Sequence, residues 1–237
     1  MNKLRLFLKS TVLLCTTFLF FINTTSAQEK CGFDDIHTRL LENDPSYKQL
    51  VEKYEKQYRK NVLSGKYDQN RKAGVVTIPI VFHVLHDGDA YGEGSNISDE
   101  QIISAMDGMN IQYRNQNPDG STFDPDGTDL EFEFCLPQRD PNGDPTNGIN
   151  RVNAAASIAN WEATGIVDGT GGNEVEAKAL SIWPNTEYYN VWVVSKINSA
   201  DPYAGGTKGY AYFPGAAANK DGTVVLFNSC GYDPDGS

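Results

Sequence analysis

Two kinds of hydrophobic pattern divide the chain near residue 73. In residues 44–65, apolar and aromatic side chains recur every three or four positions among charged ones. The recurring positions are Tyr47, Val51, Tyr54 and Tyr58. This spacing predicts a helix that buries one stripe of side chains. Asp44 is placed to cap the helix, Pro45 suits its first turn, and Gly65 ends it.

After residue 73, short apolar segments rich in β-branched residues alternate with polar, glycine-containing stretches. The segments predict five strands: "VVTIPIVFHVL", "LEFEFCL", "YYNVWVVS", "GYAYF" and "GTVVLF". Residues 98–117 predict a helix, with a capping box from Ser98 and Gln101 and a buried stripe. That stripe contains Ile102, Met106, Met109 and Tyr113. The pattern therefore predicts an α+β fold, in which a mixed twisted sheet carries a backing helix on one face.

The first 27 residues have the pattern of an export signal. Three basic residues precede an apolar run at residues 11–22, which is too short to span a bilayer comfortably, and small residues end at Ala27. An uncleaved membrane anchor is the alternative. No later segment is apolar enough to cross a membrane, so we expect a secreted protein without a membrane span after signal removal.

Charge narrows the classes of partner. Residues 1–27 contain three basic residues and no acidic one, so the exported chain carries 17 basic and 31 acidic side chains, a net charge of −14. Nucleic acids and anionic membranes bind basic surfaces, and this acidity argues against both. Calcium binding is compatible with it.

A polar stretch without periodicity separates the helix from the first strand. It runs from residue 66 to residue 74 and contains Arg71 and Lys72, where a trypsin-like protease would cut an exposed linker. An ordinary interdomain loop is the alternative. The predicted organisation is a signal peptide at 1–27, a helical segment at 28–72 and a larger domain at 73–237.

The residues by themselves reveal no catalytic set. His83 and His86 are three positions apart, which on a strand places them on opposite faces, so we interpret both as structural. Four Asp/Asn-Pro-Asp/Asn-Gly tetrapeptides are typical of turns, with calcium ligation as the alternative. No phosphate-binding loop, nucleophile elbow or H-E-x-x-H motif is present.

Several segments together resemble the pappalysin-like zinc metalloproteases, a branch of the metzincins. They are "IPIVFHVLH" with the following helix, "EFCLPQRDPNGDPTNGINR", "WPNTEYYNVWVV", "KGYAYFPG" and "DGTVVLF". Their order and spacing extend the resemblance over residues 31–237. It implies a metzincin-like catalytic domain preceded by a helical pro-segment, and a secreted proenzyme that hydrolyses peptide bonds of proteins through a zinc-bound water.

One departure from the family pattern is large. The zinc motif H-E-x-x-H-x-x-G-x-x-H is absent, and the chain ends at Ser237, where the family's active-site helix would be expected. The resemblance therefore implies an N-terminal portion of a longer protease, without catalytic residues of its own. A naturally short protein that has lost catalysis, a non-catalytic secreted binding module on a degenerate protease scaffold, is the alternative.

The resemblance also suggests roles for the three cysteines that follow the signal. Some family members are kept latent by a pro-segment cysteine, and a thiolate is a good fourth ligand for a three-histidine zinc site. Cys31, followed by Gly32, is the candidate latency ligand, with a structural disulfide as its alternative. If Cys31 is free, Cys135 and Cys230 remain as a pair, although Cys230 has a partner beyond Ser237 as its alternative.

The last candidate role is contact with the substrate. In metzincins the strand before the active-site helix is the sheet edge that pairs with extended substrate. The resemblance assigns this role to Thr223, Val224, Val225, Leu226 and Phe227. A strand paired on both sides is the alternative.

Overall fold

A computed structural model of the protein describes residues 30–66 and 74–231, with side chains from residue 32 onward. We call residues 30–66 the leader and residues 74–231 the body. The leader contains the short strand β1 (Lys30–Cys31) and two helices, α1 (Phe33–Asn43) and α2 (Pro45–Leu63). Asp44 caps α2 as predicted, because its carboxylate accepts hydrogen bonds from the backbone N–H groups of Ser46 and Tyr47.

The body contains six strands, three α-helices and two short 3₁₀ helices among the described residues. The strands are β2 (Val76–His86), β3 (Phe132–Cys135), β4 (Ile149–Asn153), β5 (Tyr189–Val194), β6 (Thr207–Ala211) and β7 (Thr223–Leu226). The helices are α3 (Asp99–Arg114), α4 (Trp161–Thr164) and α5 (Glu174–Ala179), with 3₁₀ turns at Ala154–Ala156 and Phe227–Ser229. All five strands predicted from the sequence are present, and β1 and β4 are additional.

The strands form one mixed sheet in the order β1-β6-β7-β5-β2-β3, and β4 pairs with the second half of β2. β5 is parallel to both β7 and β2, and β2 is parallel to β3 and β4, whereas β6 is antiparallel to β7. The predicted α+β fold with a mixed sheet is confirmed. Because β2 and β5 are covered on both faces, they read as continuous apolar runs.

The two faces of the sheet carry separate apolar clusters. On one face, Trp192, Val194, Val224 and Leu226 pack with α4, α5 and Ile36 of the leader; we call this the closed face. On the other, strand residues such as Phe82, Val191 and Val193 pack against Ile102 of α3; we call this the groove face. Alternation along β5 and β7 assigns neighbouring residues to opposite clusters.

The structure corrects two details of the predicted helices. On α2, Tyr47 and Val51 are buried, whereas Tyr54 is only half-covered by the body at Gly215 and Tyr58 is exposed. On α3, Ser98 caps the helix, whereas the side chain of Gln101 donates to the carbonyls of Phe227 and Cys230 instead of returning to the cap. That amide joins α3 to the segment after β7.

None of the helices in the described parts of the chain is both long and apolar enough to cross a bilayer.

Candidate functional site

The strand predicted to contact substrate lies inside the sheet. β7 (Thr223–Leu226) is not at the edge of the sheet, because it pairs with β5 on one side and with β6 on the other. The assignment of Thr223 through Phe227 as an edge strand is therefore wrong. The next strand, β6, has β7 on one side and only the two-residue β1 of the leader on the other.

The leader covers the outer edge of β6. β1 runs parallel to β6, with Lys30 opposite Thr207 and Cys31 opposite Gly209, and the N–H of Gly32 donates to the carbonyl of Gly209 at 2.8 Å. A β-carbon at Gly32 would lie 2.7 Å from Cγ2 of Thr207, so a larger residue at this position would force that side chain to move. The backbone of Cys31 is thus placed at the β6 edge, and its role as a latency ligand stays a prediction.

A buried polar cluster fixes β6 from beneath. The carboxylate of Glu174 accepts hydrogen bonds from the hydroxyls of Tyr210, at 3.0 Å, and of Tyr212, and it lies 3.0 Å from Nζ of Lys178. The side chains of Glu174 and Lys178 are 2% and 0% exposed. Because a buried charge without partners is costly, this satisfied pair fixes how β6 and the segment after it sit on α5.

The Lys178 ammonium group is enclosed by further groups that stabilise its charge. It donates to the carbonyl of Lys220 at 2.6 Å and lies over the ring of Trp192, 4.7 Å from the centroid. Burial lowers the pKa of Lys178, and the Glu174 carboxylate opposes that effect. Burial and the same carboxylate raise the pKa of Tyr210 and of Tyr212, so both hydroxyls stay protonated as donors.

Beyond the strand pairing, side-chain contacts also join the leader to the body, among them those of His37 and Arg39. His37 stacks on Phe213, just after β6, with ring centroids 5.7 Å apart, and its Nδ1 forms a 2.8 Å hydrogen bond with the hydroxyl of Tyr47. Arg39 forms an ion pair with Asp168, whose carboxylate raises the pKa of the Arg39 guanidinium.

An apolar groove of about 520 Å³ opens on the groove face between α3 and the sheet. Its walls include Met109 and Tyr113 of α3, Val191 of β5 and Val225 of β7. Cys230 and Gly231 form one end of it. The groove thus borders the point where the described chain ends.

The structure does not join Cys135 to Cys230, in contrast to the predicted disulfide. Both thiols are free. Cys135 lies on β3, and Cys230 follows β7, which is three strand positions away across β5 and β2. Three inter-strand spacings are roughly 14 Å, which is about twice the Cα separation that a disulfide allows. Burial raises the pKa of Cys230 to about 12.

The histidines of β2 are structural, as expected from their spacing. His83 is buried, its Nε2 donates to Oδ1 of Asn190 at 2.8 Å, and its ring stacks on Trp192. Burial lowers the pKa of His83 to about 4. His86 faces the other way, and its Nδ1 accepts the N–H of Gly88. In the described residues no three His, Cys, Asp or Glu side chains are grouped to hold a metal ion.

The turn tetrapeptides and processing residues complete the predicted set. In three of the turns the first or third carboxylate accepts backbone N–H groups: Asp119 from Ser121, Asp124 from Asp126, and Asp140 from Asn142. These contacts are the usual turn chemistry. The fourth turn, Ala27, Arg71 and Lys72 lie outside the described residues, as do residues 1–27 as a whole.

Sequence reasoning missed Arg39, Asp168 and the buried cluster around Glu174. Part of that cluster has a sequence signal: Glu174 and Lys178 are four apart, and Tyr210 and Tyr212 alternate on a strand. The Arg39–Asp168 pair has none, because 129 residues separate its partners.

No model of a protein family matches the chain, and neither does any curated protein. Solved structures do match. A mutant of Tannerella forsythia promirolysin is 27% identical, with a TM-score of 0.59 over 83% of this chain and 59% of its own. Mirolysin in complex with a compound, and mature Tannerella forsythia mirolysin in complex with a cleaved peptide, are each 29% identical. Each gives a TM-score of 0.51 over 68% of this chain and 56% of its own.

The chain therefore shares the fold of these metalloproteases and is structurally related to them. It spans 59% of the length of the promirolysin chain.

Proposed function

We propose that the chain is the N-terminal portion of a secreted zinc-dependent metalloendopeptidase that is made as a proenzyme. One observation carries the proposal: the leader occupies the outer edge of β6 in a fold that the chain shares with promirolysin. A strand edge offers unpaired N–H and C=O groups to an extended peptide. A segment that covers such an edge keeps a peptide from binding there.

The substrate edge in this proposal is β6 instead of β7. When the leader leaves, the backbone of Thr207 through Ala211 becomes available to a peptide substrate. The mature mirolysin structure with a cleaved peptide supports a peptide as the ligand of the related fold. The tyrosine–glutamate cluster below β6 keeps the edge in place during that exchange.

Zinc does not fit the residues at hand. The described residues hold no ligand set for a metal, so we expect its ligands in protein that follows Ser237, and we derive no catalytic step through the metal. The open apolar groove also supports the proposal that a further protein segment packs at this face of the sheet. A helix after Gly231 with an apolar stripe would fill the space between α3 and the strands β5 and β7. The 237-residue chain alone is then inactive as a peptidase.

The proposed latency assigns Cys31 to the metal in the proenzyme and the pro-segment to residues 28–72. The position of Cys31 opposite Gly209, at the edge, is compatible with that role. Replacing Cys31 by alanine in the full-length proenzyme should raise its activity before any cleavage. A variant as latent as the wild type would refute the assignment of Cys31 while leaving the protease itself untouched.

The aromatic segment from Trp183 to Phe213 does not favour a non-catalytic binding module. Trp192, Tyr210 and Tyr212 are buried in the closed face and are not accessible to a partner, although Tyr189 and Tyr203 are exposed. The gene sequence after the codon for Ser237 distinguishes the protease from the non-catalytic binding module. A reading frame that continues past Ser237 into H-E-x-x-H-x-x-G-x-x-H supports the protease, and a stop codon at that point excludes it.

A further inference from the structure

Asp168 and Arg39 differ in how deeply their side chains are buried. The Asp168 side chain is 3% exposed, whereas the Arg39 side chain is 43% exposed. The carboxylate is therefore part of the body, and the guanidinium reaches it from the leader. A carboxylate at this depth needs a cation or several donors, because desolvation penalises its charge.

The body has no other cation committed to Asp168 among the described residues. The nearby carboxylate of Glu174 already binds Lys178 and the hydroxyls of Tyr210 and Tyr212. Lys220 lies 3.9 Å from that same carboxylate. Arg39 is the one cation in an ion pair with Asp168 within residues 30–66 and 74–231.

The loop that carries Asp168 is held in place without the leader's help. The N–H of Asp168 donates to the side-chain oxygen of Asn198, and the N–H of Val167 donates to that of Asn173 at 2.7 Å. Gly172 sits so close to Val167 that a β-carbon would lie 2.1 Å from its carbonyl oxygen. This bracing positions the carboxylate before any ligand arrives.

The loop backbone next to Asp168 lies close to the Arg39 guanidinium. A β-carbon at Gly169, where φ is +85°, would lie 3.7 Å from Cζ of Arg39. The guanidinium thus rests against the loop backbone beside the carboxylate. Nη2 of Arg39 donates to Oδ2 of Asp168, and a guanidinium carries its N–H donors in a planar arrangement that an ammonium lacks.

The remaining contacts between leader and body are backbone pairing, apolar packing and ring contacts, and they include Leu40 against the closed core and Leu50 and Tyr54 against Gly215. Strand pairing involves two residues, Lys30 and Cys31. Ile36 enters the closed core, and His37 stacks on Phe213. Arg39–Asp168 is an ion pair between leader and body.

We propose that Asp168 and the loop around it form a guanidinium-binding recess, which holds Arg39 and keeps the leader on the body after the chain between them is cut. The proposal rests on the leader being a removable segment, as proposed above. It adds a second step to activation: cleavage alone does not uncover β6, and the leader must also leave the recess.

The test uses the full chain with the recognition sequence of a site-specific protease inserted between Lys66 and Gly74. After cutting, the fraction of leader that co-elutes with the body and its dissociation rate are measured without any peptidase assay. The wild-type leader should stay bound. Arg39→Ala and Asp168→Asn should each speed its loss by about tenfold or more, since each removes a charge-assisted hydrogen bond. Their combination should be no worse than either one alone.

Three further measurements separate a guanidinium recess from general weakening. Arg39→Lys should speed loss less than Arg39→Ala does. Millimolar agmatine, a free guanidinium cation, should speed loss from the wild type and not from Asp168→Asn. Arg59→Ala is the matched control, because Arg59 pairs with Glu55 inside the leader, and its leader should stay bound as in the wild type.

Retention of the Arg39→Ala leader at the wild-type rate would overturn the proposal, and so would loss of the wild-type leader at once on cutting. If Arg39→Ala fails to fold, agmatine competition on the wild-type chain decides the question alone. Because no step measures peptide hydrolysis, failure here leaves the proposed protease function standing. If the proposed protease function is refuted instead, the binding of Arg39 by Asp168 can still be tested in the same way.

Discussion

The two faces of the sheet are closed to different degrees. The closed face is covered by α4, α5 and the leader, and it contains the buried Glu174–Lys178 ion pair with its hydrogen-bond partners. The groove face has one long helix, α3, and leaves an apolar groove beside it. The same strands thus place apolar side chains on both faces. The faces differ in how many helices and loops of the described chain pack against those side chains.

The largest effect is expected at the centre of the closed face. Lys178→Ala leaves the Glu174 carboxylate buried with hydroxyl donors and without its ammonium, which should lower the free energy of unfolding by about 3–5 kcal/mol. Urea unfolding would measure it. Lys178→Met combined with Glu174→Gln should recover part of the loss, because it removes both buried charges. A Lys178→Ala loss below about 1 kcal/mol would show that the cluster does not hold the closed face.

Acid should weaken the closed face through His83. Burial holds the folded pKa of His83 at about 4, below its unfolded value of about 6.5, so the unfolded state binds more protons between these values. Stability is therefore full above pH 6.5 and falls as the pH drops towards 4, by up to about 3 kcal/mol. The measurement is urea unfolding at pH 7 and pH 4.5 for wild type and His83→Gln. An equal pH dependence in both proteins would rule out His83 as its source.

Two adjacent valines compare the faces directly. Val224 is fully buried in the closed face, whereas Val225 is partly exposed and lines the groove. Val224→Ala should cost about 2 kcal/mol, and Val225→Ala less than about 1 kcal/mol, because the groove already lacks packing partners. Thermal or urea unfolding of the two variants provides the test. Equal costs would mean that the groove face is as well packed as the closed face.

The smallest effect concerns the two body thiols. Alkylation of the unfolded chain without reductant should modify both Cys135 and Cys230, because neither is in a disulfide. In the folded chain at neutral pH, Cys230 should react more slowly than a free thiol, since burial keeps it protonated. Peptide mapping by mass spectrometry reads out both. Recovery of a Cys135–Cys230 cross-linked peptide would contradict the fold's strand order.

Local patterns predicted the elements well, and long-range pairing decided the rest. The apolar run "GTVVLF" and the periodicity of α3 predicted a strand and a helix close to their true bounds. Whether β7 lies at the edge depends on where β6 pairs, and "GYAYF" carries no signal for its neighbours. The helix α2 was predicted with its cap, yet the burial of Tyr54 depends on how far the body extends along it.

The candidate site was harder to predict than the fold for the same reason. Cys31 was singled out as a latency ligand, which stays a prediction, and its pairing with β6 was not predicted. Arg39 and Asp168 have ordinary sequence contexts, and only the folded chain brings them together. Ion pairs across such a distance in sequence leave no periodic trace, whereas the i,i+4 pair of Glu174 and Lys178 does.

Peptide hydrolysis by the extended protein tests the central claim most directly. The reading frame continued past Ser237 would be expressed, its leader removed at the linker, and a peptide library assayed with and without a zinc chelator, beside the 237-residue chain. The account predicts that the extended protein hydrolyses peptides and the 237-residue chain does not. The chelator should abolish this hydrolysis, and added zinc should restore it. Chelator-resistant hydrolysis, or zinc-dependent hydrolysis by the 237-residue chain itself, would contradict it.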